Sequence, residues 1–339
     1  MIAAVLQNYG IDENECIIQP FGSGLINNTW DVKRNEEHYI LQRINHTIFK
    51  QPEDIDENIT AIDEYLKKNY PGYLFVASIK TKAAKSIFKT GDGYFRLFPF
   101  VKDSHTIDVA TNPAQAFEAA KQFGAFTKKL SGFKAAQLKI TLPDFHNLTL
   151  RYRQFENALL TGNAVRIAAS ETAIALLQKH KTIADDFEKI KQDTGFKIRV
   201  THHDTKISNV LFDEKDRGLC VIDLDTVMPG YFISDVGDMM RTYLSPVSEE
   251  EKDFSKIEIR QEYLDAIING YLSEMENELT GKEKKAFLYA GKFMIYMQAL
   301  RFLTDHLNND VYYGAKYEGH NFVRGKNQLV LLEKLIEIE

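Results

Sequence analysis

The chain has 339 residues, of which 44% are hydrophobic and 27% charged, a balance typical of folded globular proteins. Its length exceeds the size at which one core usually stops growing, so two lobes or domains are expected. A net charge of −6 argues against nucleic acid as the main partner, and the two cysteines, Cys16 and Cys220, provide no disulfide framework. The first residues lack the features of a signal peptide, and no apolar run approaches the ~20 residues that cross a bilayer. We therefore expect a cytoplasmic protein without a membrane partner.

The first hundred residues predict a small β-rich region. The predicted elements are a helix over residues 3–9, strands beginning at Cys16, Tyr39, Tyr73, Ser86 and Tyr94, and a helix over residues 52–66. Between the first strands, Gly22-Ser23-Gly24 can fold over phosphates, because glycine lets backbone N–H groups approach closely. Gly91-Asp-Gly93 predicts a hairpin turn.

From Lys102 onward, hydrophobic residues recur at helical spacing and predict a mostly helical region. The predicted helices cover residues 113–130, 147–160, 164–191, 256–272, 282–307 and 328–336. We expect these helices to serve as scaffold.

A polar cluster within residues 198–225 lies between apolar, extended segments. The spacing His202-x-Asp204-x-x-x-x-Asn209 is that of the kinase catalytic loop, and a predicted β-hairpin then leads to Asp223. Asn209 and Asp223 offer hard oxygen ligands of the kind that Mg²⁺ takes, and Asp204 can accept the proton of an acceptor hydroxyl. The cluster therefore predicts phosphoryl transfer from ATP, with Asp204, Asn209 and Asp223 as catalytic residues and the last two as metal ligands.

Two other interpretations of this cluster are less favoured. An ordinary polar hairpin would not account for a histidine, two aspartates and an asparagine at these spacings. A zinc site at His202 and His203 is disfavoured because adjacent residues of an extended segment point to opposite sides. No other His or Cys shows the spacing of zinc ligands.

The run His202-His-Asp204-Thr-Lys-Ile-Ser-Asn209, followed by Val-Ile-Asp223-Leu-Asp225-Thr-Val-Met-Pro-Gly, resembles the aminoglycoside phosphotransferase superfamily, which includes choline kinases and type II homoserine kinases. Within that group, the sequence is most similar to the bacterial N-acetylhexosamine 1-kinases. The resemblance implies an α+β, bilobal, protein-kinase-like fold. In this fold, residues 1–101 form a small antiparallel sheet with one helix and end in a hinge. Residues 102–339 form a large, mostly helical lobe with the catalytic loop and the acceptor site.

The resemblance also implies how the first lobe holds the nucleotide. Kinases carry a lysine for the α- and β-phosphates on the strand that corresponds to Tyr39–Ile44, and this sequence has Gln42 and Arg43 there. Gln42 overlays the lysine but is neutral, whereas Arg43 is charged but one residue displaced, so both stay candidates. Arg43 is equally compatible with a surface charge. Glu57, on the following helix, is the candidate for fixing the phosphate-binding cation.

The remaining predicted nucleotide contacts lie in the glycine loop and at the hinge. They are Gly22, Ser23, Gly24, Phe98 and Phe100. Adenine is expected beside the two phenylalanines.

Acceptor contacts are carried over from the hexosamine kinases to Asp204, Arg301, Tyr312 and Tyr313. Tyrosines and an arginine suit a sugar, whose hydroxyls need directional hydrogen bonds and whose ring packs on aromatic faces. An internal ion pair of Arg301 with Asp305, four residues on, is a structural alternative.

The resemblance assigns a bracing role for the catalytic loop to Asp235, with Asp238 as the second candidate. The combined prediction is a Mg²⁺-dependent kinase that uses ATP and a small hydroxylated substrate, an amino sugar, and phosphorylates the anomeric hydroxyl of N-acetylglucosamine or N-acetylgalactosamine. The alternatives are a kinase of the same fold for choline, homoserine, an aminoglycoside or methylthioribose, or a nucleotide-binding pseudokinase.

Overall fold

Five antiparallel strands form the sheet of the N-terminal region. They are β1 (Ile17–Pro20), β2 (Asn28–Arg34), β3 (Glu37–Ile44), β4 (Ile87–Thr90) and β5 (Gly93–Pro99), in the spatial order β1-β2-β3-β5-β4. The computed structural model describes residues 1–22 and 26–338, so the predicted phosphate contacts Ser23 and Gly24 lie outside the described residues. The predicted turn at Gly91 joins β4 to β5, with Thr90 opposite Gly93.

The two faces of this sheet have different surroundings. One face forms a small core with the helix α1 (Ile2–Asn8), and its buried residues are Val5, Leu6, Val32, Leu41, Phe95 and Leu97. Neighbouring residues of a strand point to opposite sides. Gln42 of β3 and Arg96 of β5, which lie directly opposite each other, therefore share the other face.

The helix α2 (Pro52–Asn69) begins at proline, as its sequence predicts, and carries acidic residues in its first turn. Its apolar face is buried in the larger core of the molecule, because Ile55 and Ile59 pack with residues of the helical region. The side chain of Asn58 also donates to the carbonyl oxygen of Val227 at 3.0 Å. The strand predicted at Tyr73 is absent: residues 74–80 form no regular structure, although the backbone N–H of Ile79 donates to the carbonyl oxygen of Leu97 in β5 at 2.7 Å.

The remaining helices surround one long, buried helix. They are α3 (Pro113–Lys129), α4 (Leu148–Thr161), α5 (Ala164–Ala169), α6 (Glu171–Lys179), α7 (Thr182–Gln192), α8 (Phe232–Tyr243), α9 (Gln261–Met275), α10 (Gly281–Lys284), α11 (Phe287–Leu307) and α12 (His320–Glu337). The central one is α11, which packs against α4, α8 and α12. The single helix predicted over residues 164–191 is three helices. Neither break contains glycine or proline, so the sequence held no strong breaker signal.

Two short antiparallel pairs position the polar cluster within the helical region. They are β6 (Arg199–Thr201) with β9 (Met228–Gly230), and β7 (Val210–Phe212) with β8 (Gly218–Val221). The predicted hairpin is therefore present as β7 and β8. The lobe boundary near Val101 stays a prediction. No helix within residues 1–22 and 26–338 is long and apolar enough to cross a membrane.

Candidate active site

The loop between β6 and β7 is held by the helix α8 that follows the hairpin. The backbone N–H groups of His202 and His203 donate to the two carboxylate oxygens of Asp235, at 3.0 and 2.8 Å. Asp235 is fully buried, and burial raises its pKa to about 7, while the two N–H donors lower it. Asp204, the next residue of the loop, therefore starts from a backbone that is fixed on the body of the protein. This is the bracing arrangement that the sequence predicts for Asp235.

Asp238 holds the other side of the same loop. It accepts a hydrogen bond from the backbone N–H of Thr205 at 2.9 Å and forms an ion pair with Arg241 at 3.0 Å. The hydroxyl of Tyr243 donates to the carbonyl oxygen of Thr205 at 2.6 Å. Both predicted bracing carboxylates therefore contact the loop, and both are buried.

His202 joins the loop to the hairpin and lies with its ring edge against Phe123, with centroids 5.1 Å apart. Its Nε2 lies 2.9 Å from the carbonyl oxygen of Ile222, to which it can donate a hydrogen bond. Burial lowers the pKa of His202, although the nearby Asp204 carboxylate raises it. Within the described residues, no group of three or more His, Cys, Asp or Glu side chains could hold a metal ion, so the zinc interpretation gains no support.

The structure brings the three predicted catalytic side chains together. The amide nitrogen of Asn209 donates to the carbonyl oxygen of Asp204 at 2.9 Å, which leaves the amide oxygen for another partner. The backbone N–H of Ile222 donates to the carbonyl oxygen of Asn209 at 2.9 Å and so places Asp223 beside the loop. Asp223 has a left-handed backbone conformation with φ of 60°. The Asp204 carboxylate lies 3.2 Å from the ammonium group of Lys206.

The electrostatics of Asp223 fit a cation site. Asp223 is exposed to solvent, but desolvation by the surrounding protein and the carboxylates of Asp225 and Asp204 raise its pKa to about 7. No residue in the described ranges donates a hydrogen bond to this carboxylate. A carboxylate that is desolvated and repelled by neighbouring carboxylates, next to the unused amide oxygen of Asn209, suits a hard divalent cation that is shared with phosphate oxygens.

Asp225, two residues after Asp223, contacts residues of the N-terminal region. Its carboxylate lies 2.5 Å from the guanidinium group of Arg96, and both side chains are only 2% exposed. The side chain of Asn27 donates to its other oxygen at 2.8 Å. Arg96 also donates to the amide oxygen of Gln42, at 3.1 Å from Nε and 2.9 Å from Nη2. A buried cation therefore bridges the sheet and the hairpin beside Asp223.

This geometry separates the two candidates on β3. Gln42 lies on the sheet face that carries Arg96 and is hydrogen-bonded to it, so the cation of this region comes from β5. Arg43 lies on the opposite face, where it donates to the side chain of Asn28 at 2.7 and 3.2 Å. The prediction of Arg43 as a phosphate contact is therefore wrong, because strand alternation directs its side chain to the sheet face opposite Gln42 and Arg96.

Arg96 was missed in the sequence although a signal was present. It lies in the apolar run Tyr94-Phe-Arg-Leu-Phe98, and arginine is almost never fully buried unless it is paired. The helix α2 turns Asp56, rather than the predicted Glu57, towards the sheet. Glu57 is exposed and lies 3.6 Å from Lys139, so its predicted role is wrong. Asp56 faces the sheet instead: burial raises its pKa, and the nearby Ser86, Lys80 and Arg96 lower it.

The described residues that were predicted to contact adenine and phosphate, Gly22, Phe98 and Phe100, lie in different surroundings. Gly22 has a φ of 78°, which favours glycine, and a side chain there would meet open space. Phe98 is half-buried on the face of the sheet that carries Arg96, whose guanidinium carbon lies 5.0 Å from the Phe98 ring. Phe100 stacks on His38 at 3.6 Å, and its N–H donates to the carbonyl oxygen of His38. The backbone N–H of Phe100 is therefore not free to bond adenine.

Three of the four predicted acceptor contacts, Arg301, Tyr312 and Tyr313, line an open pocket of about 420 Å³, whereas Asp204 is not among its lining residues. Arg301 contacts the side chain of Gln298 at 3.2 Å and lies 5.4 Å from the ring of Tyr313. The carboxylate of Asp305 accepts hydrogen bonds from the backbone N–H groups of Tyr312 and Tyr313, at 2.7 and 2.9 Å. Asp305 thus shapes the tyrosine loop, and the alternative of an ion pair with Arg301 is wrong.

A chain of ring contacts connects this pocket with the catalytic loop. The guanidinium carbon of Arg301 lies 5.8 Å from the ring of Phe145. Phe145 stacks on His146, whose ring centroid is 5.2 Å from that of His203, the residue before Asp204. Packed side chains therefore link Arg301, on the wall of the pocket, to the loop that carries Asp204.

Comparison with known proteins gives the family of this arrangement. The sequence profile of the phosphotransferase enzyme family, APH, matches residues 17–278. An aminopropanol kinase associated with a microcompartment has a similar structure, with a TM-score of 0.66 and 15% identity over 99% of this chain and 97% of that chain. A spectinomycin phosphotransferase solved with ADP and spectinomycin has a TM-score of 0.62 and 15% identity over 99% and 96% of the two chains. A choline kinase from Cryptosporidium parvum has a TM-score of 0.61 and 12% identity over 99% and 96%.

These structures share the kinase-like fold and confirm the predicted fold class, a five-stranded antiparallel sheet with a mostly helical remainder. At such low identity the likeness concerns the fold alone. The profile match covers most of the sequence, including the catalytic loop and the hairpin. The chain belongs to the phosphotransferase enzyme family.

Proposed function

We propose that the protein transfers the γ-phosphate of ATP to the anomeric hydroxyl of an N-acetylhexosamine and releases the sugar 1-phosphate and ADP. Asn209 and Asp223 hold Mg²⁺ in this proposal, and Gly22 and the sheet face with Phe98 take up the nucleotide. The bound ion supplies neutralisation of the charge on the phosphate oxygens.

The observation that carries the choice of acceptor is the charge of the pocket that contains Arg301, Tyr312 and Tyr313. It holds arginines, and the carboxylate of Asp305 is used by backbone N–H groups. Choline carries a permanent positive charge, which such a lining repels. A sugar presents hydroxyls to the arginine and the tyrosines and a ring face to their aromatic surfaces.

Asp204 orients the anomeric hydroxyl and accepts its proton as the oxygen forms a bond to the γ-phosphorus. The bond between that phosphorus and the bridging oxygen breaks, and its electrons leave with ADP. Lys206, whose ammonium group lies 3.2 Å from the Asp204 carboxylate, offers positive charge to the transferred group. Positioning contributes more than basicity, because the transition state of phosphoryl transfer is loose.

The test is a panel of free N-acetylhexosamines, choline, aminopropanol, homoserine, methylthioribose and spectinomycin, assayed with Mg-ATP by ADP release. We expect turnover with an N-acetylhexosamine. The ³¹P–¹³C coupling of the product should show that the phosphate is attached to the anomeric oxygen. Turnover confined to a cationic acceptor would refute the sugar assignment, and ATP binding without turnover on any acceptor would favour the pseudokinase.

Replacing the base tests its role separately. Asp204→Asn should lower kcat by at least about a hundredfold, a common size for general-base removal, while ATP still binds. Asp186→Asn, a matched change at an exposed site on α7, should leave kcat unchanged. Near-normal turnover of Asp204→Asn would contradict the mechanism.

A further inference from the structure

The acceptor pocket carries more positive charge than a neutral sugar requires. Its charged lining consists of Arg151, Arg153, Arg301 and Asp305, three positive groups against one negative group, in a chain whose net charge is −6. Among the described residues, none of the three arginines forms an ion pair. An excess of positive charge in one cavity of an acidic protein indicates a ligand that supplies negative charge.

Arg151 shows how this charge is held. Its side chain donates to the carbonyl oxygen of Asp144 at 2.8 Å and to the side chain of Gln154 at 3.0 Å, two neutral acceptors. Its Nε is buried and has no hydrogen-bond partner in the described part of the chain. Burial and the neighbouring charge of Arg301 lower the pKa of Arg151. The two guanidinium groups are therefore held near each other at an electrostatic cost.

Other polar groups of the pocket are also unused. The hydroxyl of Thr304 is buried and finds no partner within the described residues. Arg153 is exposed, and the carboxylate that bears on it from the neighbouring helix, Glu188, is already bonded to Lys191 at 2.9 Å. The carboxylate of Asp305 points to the backbone of the tyrosine loop. The only carboxylate of the lining is thus engaged by backbone N–H groups, whereas its three guanidinium groups have no carboxylate partner within the described residues.

We propose that this arginine pocket, Arg151, Arg153 and Arg301, binds an acidic substituent of the acceptor sugar. The inference rests on the proposed function, since it places the sugar between Asp204 and the pocket. Guanidinium groups pair with carboxylate, sulfate and phosphate through two parallel hydrogen bonds, so these anions share one recognition chemistry. The preferred acceptor is an N-acetylhexosamine with an acidic group on the side of the ring away from the anomeric hydroxyl. The volume of about 420 Å³ exceeds that of a bare anion and admits a substituted ring.

The experiment uses the full-length protein and measures kcat/KM by ADP release for N-acetylglucosamine, its 6-phosphate, its 6-sulfate and the corresponding uronic acid. Charge-assisted hydrogen bonds are strong enough for a preference of about tenfold or more, so at least one acidic acceptor should exceed the neutral sugar by that factor. Calorimetric titration of the same sugars and of inorganic sulfate, without ATP, should give the same ranking, with sulfate alone bound more weakly than the acidic sugar.

Arg153→Gln is the decisive variant, because Arg153 is exposed and its removal leaves the core untouched. The ratio of kcat/KM for the acidic and neutral acceptors should fall about tenfold. Lys189→Gln removes one positive charge from the exposed surface of α7, outside the pocket, and should leave the ratio unchanged.

The results separate this inference from the proposed function. Turnover of neutral sugars without any preference for acidic ones would overturn the inference and leave the kinase intact. An arginine-dependent affinity for acidic sugars without turnover would support the pocket and refute the kinase proposal. Sulfate bound as tightly as the acidic sugars would show a site for free anions and overturn the inference.

Discussion

Replacing Arg96 by methionine should cost about 3–5 kcal/mol of the free energy of unfolding. The reason is that Arg96 and Asp225 are each 2% exposed and lie 2.5 Å apart, so the variant leaves the carboxylate buried with only the Asn27 side chain as a donor. The double variant Arg96→Met/Asp225→Leu removes both charges and should recover most of that loss. It should not recover affinity for ATP, because the sheet loses the cation beside Asp223.

Urea unfolding followed by tryptophan fluorescence is a suitable assay, since the only tryptophan, Trp30, lies on β2 of the same sheet. The matched control is Arg34→Gln on β2, which breaks an exposed ion pair with Glu15. It should leave the unfolding midpoint almost unchanged. If Arg96→Met loses less than about 1 kcal/mol, the size of a surface pair, or if the double variant is as unstable as the single one, the reasoning about a buried bridge is refuted.

Three further predictions concern the supports of the site. Asp235→Asn turns one acceptor of the His202 and His203 N–H groups into a donor, so kcat should fall at least about tenfold while KM for ATP changes little; an unchanged kcat would exclude the bracing role. Burial lowers the pKa of His203 to about 4, below the 6.5 of an unfolded histidine, so the unfolded state binds the proton first as pH falls. Stability should therefore decrease from pH 6.5 toward pH 4 by up to about 3 kcal/mol, and His203→Gln should flatten that slope in urea titrations at several pH values. Burial raises the pKa of Glu283, but hydrogen bonds from Arg199 and the backbone outweigh burial, and the net pKa lies below its usual value. The stabilisation by this carboxylate is therefore present above the unfolded pKa and is lost as pH falls through the folded pKa. Glu283→Gln should cost about 3 kcal/mol at pH 7 in thermal unfolding, and a loss no larger than that of the exposed Glu276→Gln would contradict it.

Regular elements with a strong local pattern were predictable from the sequence. The helix α2 shows its proline start, its acidic first turn and its isoleucines at helical spacing, and it begins at the predicted Pro52. The strand predicted at Tyr73 did not form, and that segment makes a single backbone hydrogen bond to β5, from Ile79 to Leu97, rather than a ladder. The breaks within residues 164–191 carry no glycine or proline, and their positions depend on how the three helices pack.

The catalytic loop and the hairpin are close in sequence, and this explains why their grouping could be inferred. Asp204 and Asn209 are five positions apart, and the β-hairpin that follows returns the chain to Asp223 by local pairing. Their proposed roles in metal binding and proton transfer follow from the residue types, and the assays above test them.

Only the tertiary structure decided which cation stands beside this group and what surrounds the acceptor. Residues on separate elements meet there: Arg96 from β5 reaches Asp225, and Arg151 from α4 meets Arg301 from α11. Side chains that are far apart in sequence come together through the packing of whole elements, and no local spacing records that packing. The sequence by itself therefore indicated the chemistry of the loop, whereas the fold determined which charged residues stand beside it and which line the arginine pocket.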